Sequence, residues 1–522
     1  MIIEIIIFLV TFVVAYFLWR QKKVHDFLRE RDVKFMPGYP FYGNTYGSMS
    51  DKRHMVDEII EIYNKFPEER YVGFIEGSNP ILIIRDPEII KSITVKNFEN
   101  FVDHKSFFFS EEDIFGKSLF SMKGNTWRDM RMTLSPAFTG SKMRLMMPSM
   151  VEVSKNVVNH LKETQGEVID VDELIRRYAN DVIAAAGFGL HVNSFVDKDN
   201  EFYKIGQSIF AFDWKQKLFM LIFINCPSLA QKLKLQMFPE KTVNFFRQIV
   251  SKTIEDRERN NIERPDMIQL LMDASKGTLN QTQNSEDPNV GFATVEEVLK
   301  PKNEVRKWTL DDLVGQVLIF FTAGFETTAS TLVMCIHELA LNPSIQEKLY
   351  QEVEAFSQTK TLTYENFPEL KYLDCVLNET LRKWSAAIIT DRKCVKPFDL
   401  PPPREGGKPY RLNPGDIVYN MVNAIHLDPK YYPEPETFIP ERFSDANKHN
   451  IAPFTFMPFG MGPRACIASR FALLELKVLL YFITINFKIV KCEKTMDPLR
   501  LIQKGFMIRA DEGTFVKFED RN

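Results

Sequence analysis

Apolar positions open the chain in one unbroken stretch. Residues 5–19 are almost wholly apolar, Met1, Ile2 and Ile3 extend the run past Glu4, and Arg20, Gln21, Lys22 and Lys23 close it. A helix that is apolar on every face belongs in lipid or in a deep core, and at the extreme of the chain lipid is the better match. The run lies near the lower limit of the roughly 17–25 residues that a spanning helix needs. Its positive charge follows the apolar stretch instead of preceding it, and no small-residue cleavage site is evident. It therefore reads as an uncleaved signal-anchor. The positive-inside rule places Arg20 onward in the cytosol.

Turn-forming residues come next. Met36-Pro37-Gly38-Tyr39-Pro40, with Gly43 and Asn44, predicts a stiff, turn-rich hinge. Apolar runs within residues 71–85, parted by Gly77-Ser78-Asn79-Pro80, predict a pair of strands. From residue 87 to about 275 the spacing is mostly helical. Residues 276–307 are polar and predict an exposed connector. A long helix is expected beyond it. Thr309 and Asp312 fit a capping box, Trp308 and Leu313 fit a hydrophobic staple, and nothing breaks the pattern before Asn342-Pro343. Ser344 and Glu347 predict a capped start for the next helix, and a further helix is expected over residues 371–383. Residues 397–463, rich in Pro and Gly, read as short strands and loops. The pattern divides the chain into an anchor at 1–20, a basic, Pro/Gly-rich hinge at 21–44, and a domain at 45–522 that is mainly α with minor β-sheets.

Composition narrows the choices. A formal charge of -3 over 522 residues argues against a nucleic-acid partner, which usually meets a basic stripe. The 44 phenylalanines favour a large apolar interior or apolar binding surfaces. Six widely spaced cysteines without a CxxC pair fit neither a disulfide framework nor zinc-ligand spacing, which points to a reducing compartment.

One of those cysteines stands apart. Cys466 lies in Phe459-Gly460-Met461-Gly462-Pro463-Arg464-Ala465-Cys466-Ile467-Ala468, and a helix-like apolar stretch follows over 467–487. A helix start stabilises a thiolate, the metal-binding form. Gly460 and Gly462 allow backbone conformations that aim amides at the sulfur. Ala468 leaves room for a flat ligand, and Arg464 can pair with a carboxylate. A buried, inert cysteine is the common alternative. The segment resembles the haem-binding loop of the cytochrome P-450 superfamily.

The resemblance extends along most of the chain. Glu379-Thr380-Leu381-Arg382 is similar to the family's ExxR helix, and Pro440-Glu441-Arg442-Phe443 to its PERF segment. Ala323-Gly324-Phe325-Glu326-Thr327-Thr328 resembles its oxygen-activating segment, and Trp127 with Arg131 its WxxxR pair. Leu134-Ser135-Pro136-Ala137-Phe138-Thr139, Cys375-Val376-Leu377-Asn378-Glu379 and Asn423-Ala424-Ile425-His426 resemble insect microsomal members that include xenobiotic-metabolising enzymes. One departure is Ser385, where many relatives carry Pro. His426 and the other seven histidines read as satisfied or exposed side chains.

The resemblance implies haem b (iron protoporphyrin IX) with Cys466 as axial ligand, and Phe459 and Gly324 against the haem. It implies Trp127, Arg131, Arg392 and Arg464 as carboxylate partners, and Glu379, Arg382 and Arg442 as a structural triad behind the cysteine. Thr327 and Glu326 would serve oxygen activation and proton delivery. By itself a mid-helix Thr commonly bonds back to the i−4 carbonyl, here Ala323. The implied activity is insertion of one oxygen atom from O2 into hydrophobic small molecules, either xenobiotics or endogenous lipids. Electrons would come from NADPH through a separate cytochrome P-450 reductase, with cytochrome b5 as an optional donor, at the cytosolic side of the endoplasmic reticulum membrane. Phe107, Phe108, Phe109, Phe210, Phe212, Trp214 and Phe219 would line the pocket, its entrance or lipid, or else pack in the core. A haem–thiolate isomerase or dehydratase acting on peroxides and a non-catalytic haem sensor or carrier are the other readings; the Thr327–Glu326 pair favours oxygen activation over both.

Overall fold

The apolar N-terminal run is the outer half of a longer helix, Ile2–Glu30. The computed structural model describes residues 1–105, 113–209, 213–236, 238–277, 291–294, 308–503 and 507–521. An 18-residue window of the first helix has a mean hydropathy of 2.6 and is only 6% buried, which makes it a candidate membrane span. The helix does not stop at Arg20. Its inner half turns Phe17, Gln21, Val24 and Leu28 inward at three- and four-residue spacing, one face of an α-helix. Phe17 meets Phe41 at 4.1 Å between ring centroids, and Arg20 donates to the Asn225 carbonyl at 3.0 Å. The segment 21–44, expected as a hinge, thus begins with ten more helical residues. Its Pro/Gly part is stapled down: Tyr39 and Gly43 exchange backbone bonds at 2.8 and 2.7 Å, and Asn44 Oδ1 accepts from the Ile75 amide at 2.7 Å.

The main sheet has four strands: β1 (Tyr71–Glu76), β2 (Asn79–Ile84), β3 (Ile389–Lys393) and β4 (Ile417–Met421), in the order β1-β2-β4-β3. β1 and β2 form the expected antiparallel hairpin, β2 runs parallel to β4, and β4 is antiparallel to β3, with Arg392 opposite Val418. Every residue of β1 is buried, so these strands read as continuous apolar runs and not as alternating ones. This register carries Thr390, Asp391 and Arg392 to the wall of the central cavity.

Helices form the larger body. The long helix Leu310–Leu341 starts at Thr309, which accepts from the Asp312 amide, while the Asp312 side chain accepts from the Thr309 amide. At about 1.5 Å per residue it runs roughly 48 Å. It is apolar enough to cross a membrane, yet 72% of its apolar window is buried, so it is the core's axis. Phe321 and Phe325 stack at 5.7 Å beneath Phe202 and Phe246. The next helix corrects one expectation. It is Pro343–Thr359 with Asn342 before it, so Ser344 is its second residue and Glu347 its fifth, and neither makes a cap. Pro343 takes the first helical position, where its fixed φ and missing N–H cost nothing. Glu347 instead pairs with Arg521 at 3.0 Å. The helix Lys371–Lys383 has the expected bounds.

Most of the connector expected at 276–307 lies outside the described residues, as do Phe107, Phe108, Phe109, Phe210 and Phe212. The described part of the connector is docked and not exposed throughout. Ala293 is buried, and Phe292 stands 5.6 Å from Phe443 and 5.7 Å from Phe456.

Candidate active site

The loop before the helix Ser469–Asn486 presents Cys466 to a cavity of about 420 Å³. Local backbone chemistry holds the loop. The Cys466 amide donates to the Phe459 carbonyl at 2.8 Å, closing a turn over the two glycines. Gly460 and Gly462 both have φ of +71°, the left-handed region that only glycine enters freely. At Gly462 a Cβ would also stand 2.0 Å from the Thr94 carbonyl oxygen, whereas at Gly460 it would meet nothing nearer than 3.7 Å. Gly462→Ala is therefore expected to destabilise the holoprotein by about 1–3 kcal/mol from backbone strain alone, before the clash. Gly460→Ala should cost measurably less in the same chemical denaturation series. The following helix begins at Ser469, three residues past Cys466.

Behind the loop sits the triad expected from the ExxR and PERF segments. Glu379 takes two bonds from Arg382, both 2.8 Å, one from the Ile439 amide at 2.9 Å, and a longer one from Arg442 at 3.4 Å. Arg382 donates two further bonds, to the His426 and Pro435 carbonyls. His426 is itself satisfied: its Nε2 accepts from the Met457 amide and its Nδ1 bonds the Arg382 carbonyl. Burial, and then Arg382, push its imidazole down to about 3, so it stays neutral. Ser385 is buried, and its carbonyl accepts from Asn423 at 3.1 Å.

Trp127, Arg131, Arg392 and Arg464 all line one end of the cavity, with Phe459 beside Cys466. Each arginine also clips the protein to itself. Arg131 donates to the Ala465 carbonyl at 2.9 Å and Arg392 to the Met461 carbonyl at 3.0 Å, so both brace the cysteine loop. Arg464 reaches the carbonyls of Val102 and Met122 at 2.8 and 2.6 Å while its guanidinium lies 4.0 Å over the Trp127 ring. Burial pushes the Arg392 guanidinium down to about 10, which leaves it charged near neutrality. Its Nε is buried and has no hydrogen-bond partner among the described residues. An unsatisfied guanidinium N–H at the wall of a cavity that also opens on a cysteine fits a flat ligand carrying carboxylates. The residues present therefore fit haem.

The opposite wall is the long helix, through Ile319, Phe320, Ala323, Gly324, Thr327 and Thr328. Gly324 faces Ile183, where a Cβ would approach Cδ1 to 3.3 Å. Thr327 Oγ1 donates to the Ala323 carbonyl at 2.6 Å, the back-bonded arrangement open to any mid-helix threonine, and its side chain still faces the cavity. Glu326 sits differently. It is buried on the far side of the helix, absent from the cavity lining, and clamped by Arg509 at 2.7 and 2.5 Å and by Arg176 at 3.2 Å. Burial pushes its carboxyl up, but the two arginines outweigh burial and hold it below the usual range.

One cavity residue reads from the sequence only as a satisfied or exposed histidine. His104 lies at the wall beside Arg392 and Arg464, with Nδ1 2.9 Å from Asp391 Oδ1. Its partner is 287 residues away, so no local pattern announces the pair.

A lone cysteine loop, a guanidinium-lined end and a threonine-bearing helix across one cavity define a haem–thiolate enzyme. The comparisons agree. The family profile described as cytochrome P-450 matches residues 34–517. The chain is 39% identical to probable cytochrome P-450 9f2 of Drosophila melanogaster over 95% of this chain and 96% of that protein. It is 40% identical to cytochrome P-450 9e2 of Blattella germanica over 95% and 94%, and 33% identical to cytochrome P-450 6k1 of the same insect over 98% and 97%. The chain belongs to the cytochrome P-450 family: it is a haem–thiolate monooxygenase and its cofactor is haem b.

Proposed function

We propose that the enzyme oxygenates hydrophobic small molecules, xenobiotics such as plant toxins or insecticides or endogenous lipids, with Cys466 as the haem ligand and electrons from NADPH through a separate reductase, cytochrome b5 being an optional donor. The observation that carries this is the cavity itself, which has Cys466 on one wall, Thr327 on the other, and Phe120, Phe138, Ile183 and Phe320 between them. Haem b, when bound, supplies dioxygen activation, and thiolate ligation favours O–O cleavage. The protein's own residues do the rest. Arg131, Arg392, Arg464 and Trp127 bind and orient the carboxylate edge. Phe459 and Gly324 pack against the ring. The apolar side chains hold the substrate and exclude water. Thr327 holds a proton at its hydroxyl, whereas Glu326, expected from the sequence to deliver protons, is held ionised by Arg509 and Arg176 on the far side of the helix and ties that helix to both arginines. The helix Ile2–Glu30 anchors the enzyme in the endoplasmic reticulum membrane with the body cytosolic.

NADPH oxidation and product formation by the purified enzyme with reductase, across a panel of hydrophobic toxins and lipids, test this reading. Reductase-independent conversion of peroxides would point to isomerase chemistry, and haem binding without turnover of any panel member to a carrier. Thr327→Ala is expected to keep NADPH oxidation but lower product formed per NADPH severalfold, with hydrogen peroxide making up the difference. Fully coupled turnover would remove the role assigned to the hydroxyl.

A further inference from the structure

The guanidinium-lined end of the cavity has a charge imbalance. Arg131, Arg392 and Arg464 face two carboxylates, Asp391 and, 3.8 Å from Arg464, Asp103. Among the described residues that leaves one net positive charge at a place where haem brings two carboxylates, and His104 is the remaining titratable group on this wall. Four elements pack around it. Asp391 and Arg392 come from β3, Arg464 from the cysteine loop, Arg131 from the helix Gly124–Leu134, and Asp103 and Lys105 flank it in sequence, Lys105 pairing with Glu76 of β1.

The geometry of His104 is restricted. Nδ1 bonds Asp391, whose other oxygen accepts the Lys105 amide, and the ring stacks on Phe120 with centroids 4.9 Å apart. Burial drives the Asp391 carboxyl up, but His104 and the Lys105 amide outweigh it, so Asp391 is an anion. An anionic acceptor fixes the ring proton on Nδ1, which leaves Nε2 as the nitrogen able to gain or lose a proton. Nδ1 makes the only hydrogen bond of His104 to a described residue. Burial lowers the affinity of His104 for that proton in the protein alone. Against a carboxylate the balance reverses, because neutral Nε2 offers a lone pair and protonated Nε2 a charge-assisted donor.

We propose that His104, held by Asp391, takes up a proton as haem binds and donates it from Nε2 to a haem carboxylate, so that haem retention and the ferric/ferrous equilibrium depend on pH through this one residue. This rests on the reading that the haem carboxylates lie among Arg131, Arg392 and Arg464. Linkage sets the sign. The proton affinity of His104 is raised in the haem-bound protein over the haem-free one, so its stabilisation is present at low pH and lost as pH rises through the haem-bound value.

The test uses the full-length holoprotein in lipid nanodiscs. Haem loss to apomyoglobin and the ferric/ferrous midpoint potential are followed from about pH 6 to 8.5 in the native protein, His104→Gln, His104→Arg and Arg392→Ala. In the native protein, haem loss is expected to quicken by roughly tenfold across this range, the weight of one charge-assisted hydrogen bond, and the potential to vary with pH. His104→Gln should lose haem quickly at every pH. His104→Arg, permanently charged, should lose it slowly at every pH, and both variants should flatten the potential. The proposal is overturned if either His104 variant keeps the native pH dependence, or if the native protein shows none. Should His104→Gln not retain haem long enough to measure, His104→Arg alone decides. Arg392→Ala separates the two layers: unchanged haem retention there rejects the carboxylate placement itself, whereas faster loss with unaltered His104 profiles rejects only the proton coupling.

Discussion

Glu379→Ala is expected to yield a protein that folds poorly and carries little haem. The carboxylate is fully buried and takes four bonds, from Nε and Nη2 of Arg382, the Ile439 amide and Arg442. Removing it strands two guanidinium groups in a low-dielectric interior, typically a loss of about 3–5 kcal/mol. A domain commonly has only about 5–15 kcal/mol in hand. The damage would reach the cofactor because Arg382 also fastens the carbonyls of His426 and Pro435, and His426 in turn fastens Met457, two residues before Phe459. Denaturation midpoint and haem-to-protein ratio measure both effects. Glu379→Gln should fall between, since it keeps an acceptor for Ile439 without the charge. Arg442→Lys should cost less than Arg382→Lys, because Arg442 makes one long contact to Glu379 and is partly exposed. A Glu379→Ala protein within about 1 kcal/mol of native stability would show that the triad is not a support.

The second large effect belongs to Cys466. Cys466→Ser is expected to abolish the thiolate-type spectrum of the reduced carbonyl complex and to reduce oxygenation beyond the ~10–100-fold typical of losing a residue that merely supports a metal ligand. Among the described residues no other cysteine lines the cavity: Cys226 and Cys492 lie outside it half-buried, and Cys335, Cys375 and Cys394 are buried elsewhere with their thiols pushed up by burial. The carbonyl difference spectrum, taken beside circular dichroism to establish folding, is the measurement. A folded Cys466→Ser protein that keeps the thiolate-type band would refute the assignment of the proximal ligand.

Both effects concern parts of the molecule that short sequence patterns reveal, and the reason is physical. The ExxR pair and the capping box at Thr309 are built from residues within one turn of each other, and the cysteine loop from one short segment closed by the Cys466–Phe459 bond, so spacing alone reports their geometry. What escaped the pattern depends on chain crossings. Glu326 looks like a free acid beside Thr327 until Arg176 and Arg509, 150 and 183 residues away, close on it. Arg464 reads as a simple anion partner until the fold brings the carbonyls of Val102 and Met122 to it. Ser344 looked like a cap because proline at a first helical position and a serine one residue later are both start signals, and the proline prevailed.

The first helix has a consequence for how the enzyme sits. Its outer residues and its packed residues Phe17, Gln21, Val24 and Leu28 belong to one uninterrupted rod. A bilayer gripping the outer half would therefore transmit torque to the body. Each residue inserted near position 15 would swing the catalytic domain about 100° around the rod and raise it by about 1.5 Å. The hairpin tip at Gly77, which touches Ile224 and Asn225, would be carried along with it. With the outer half held in lipid, the azimuth of the body would be a helical phase, set by the residues between the gripped face and Phe17.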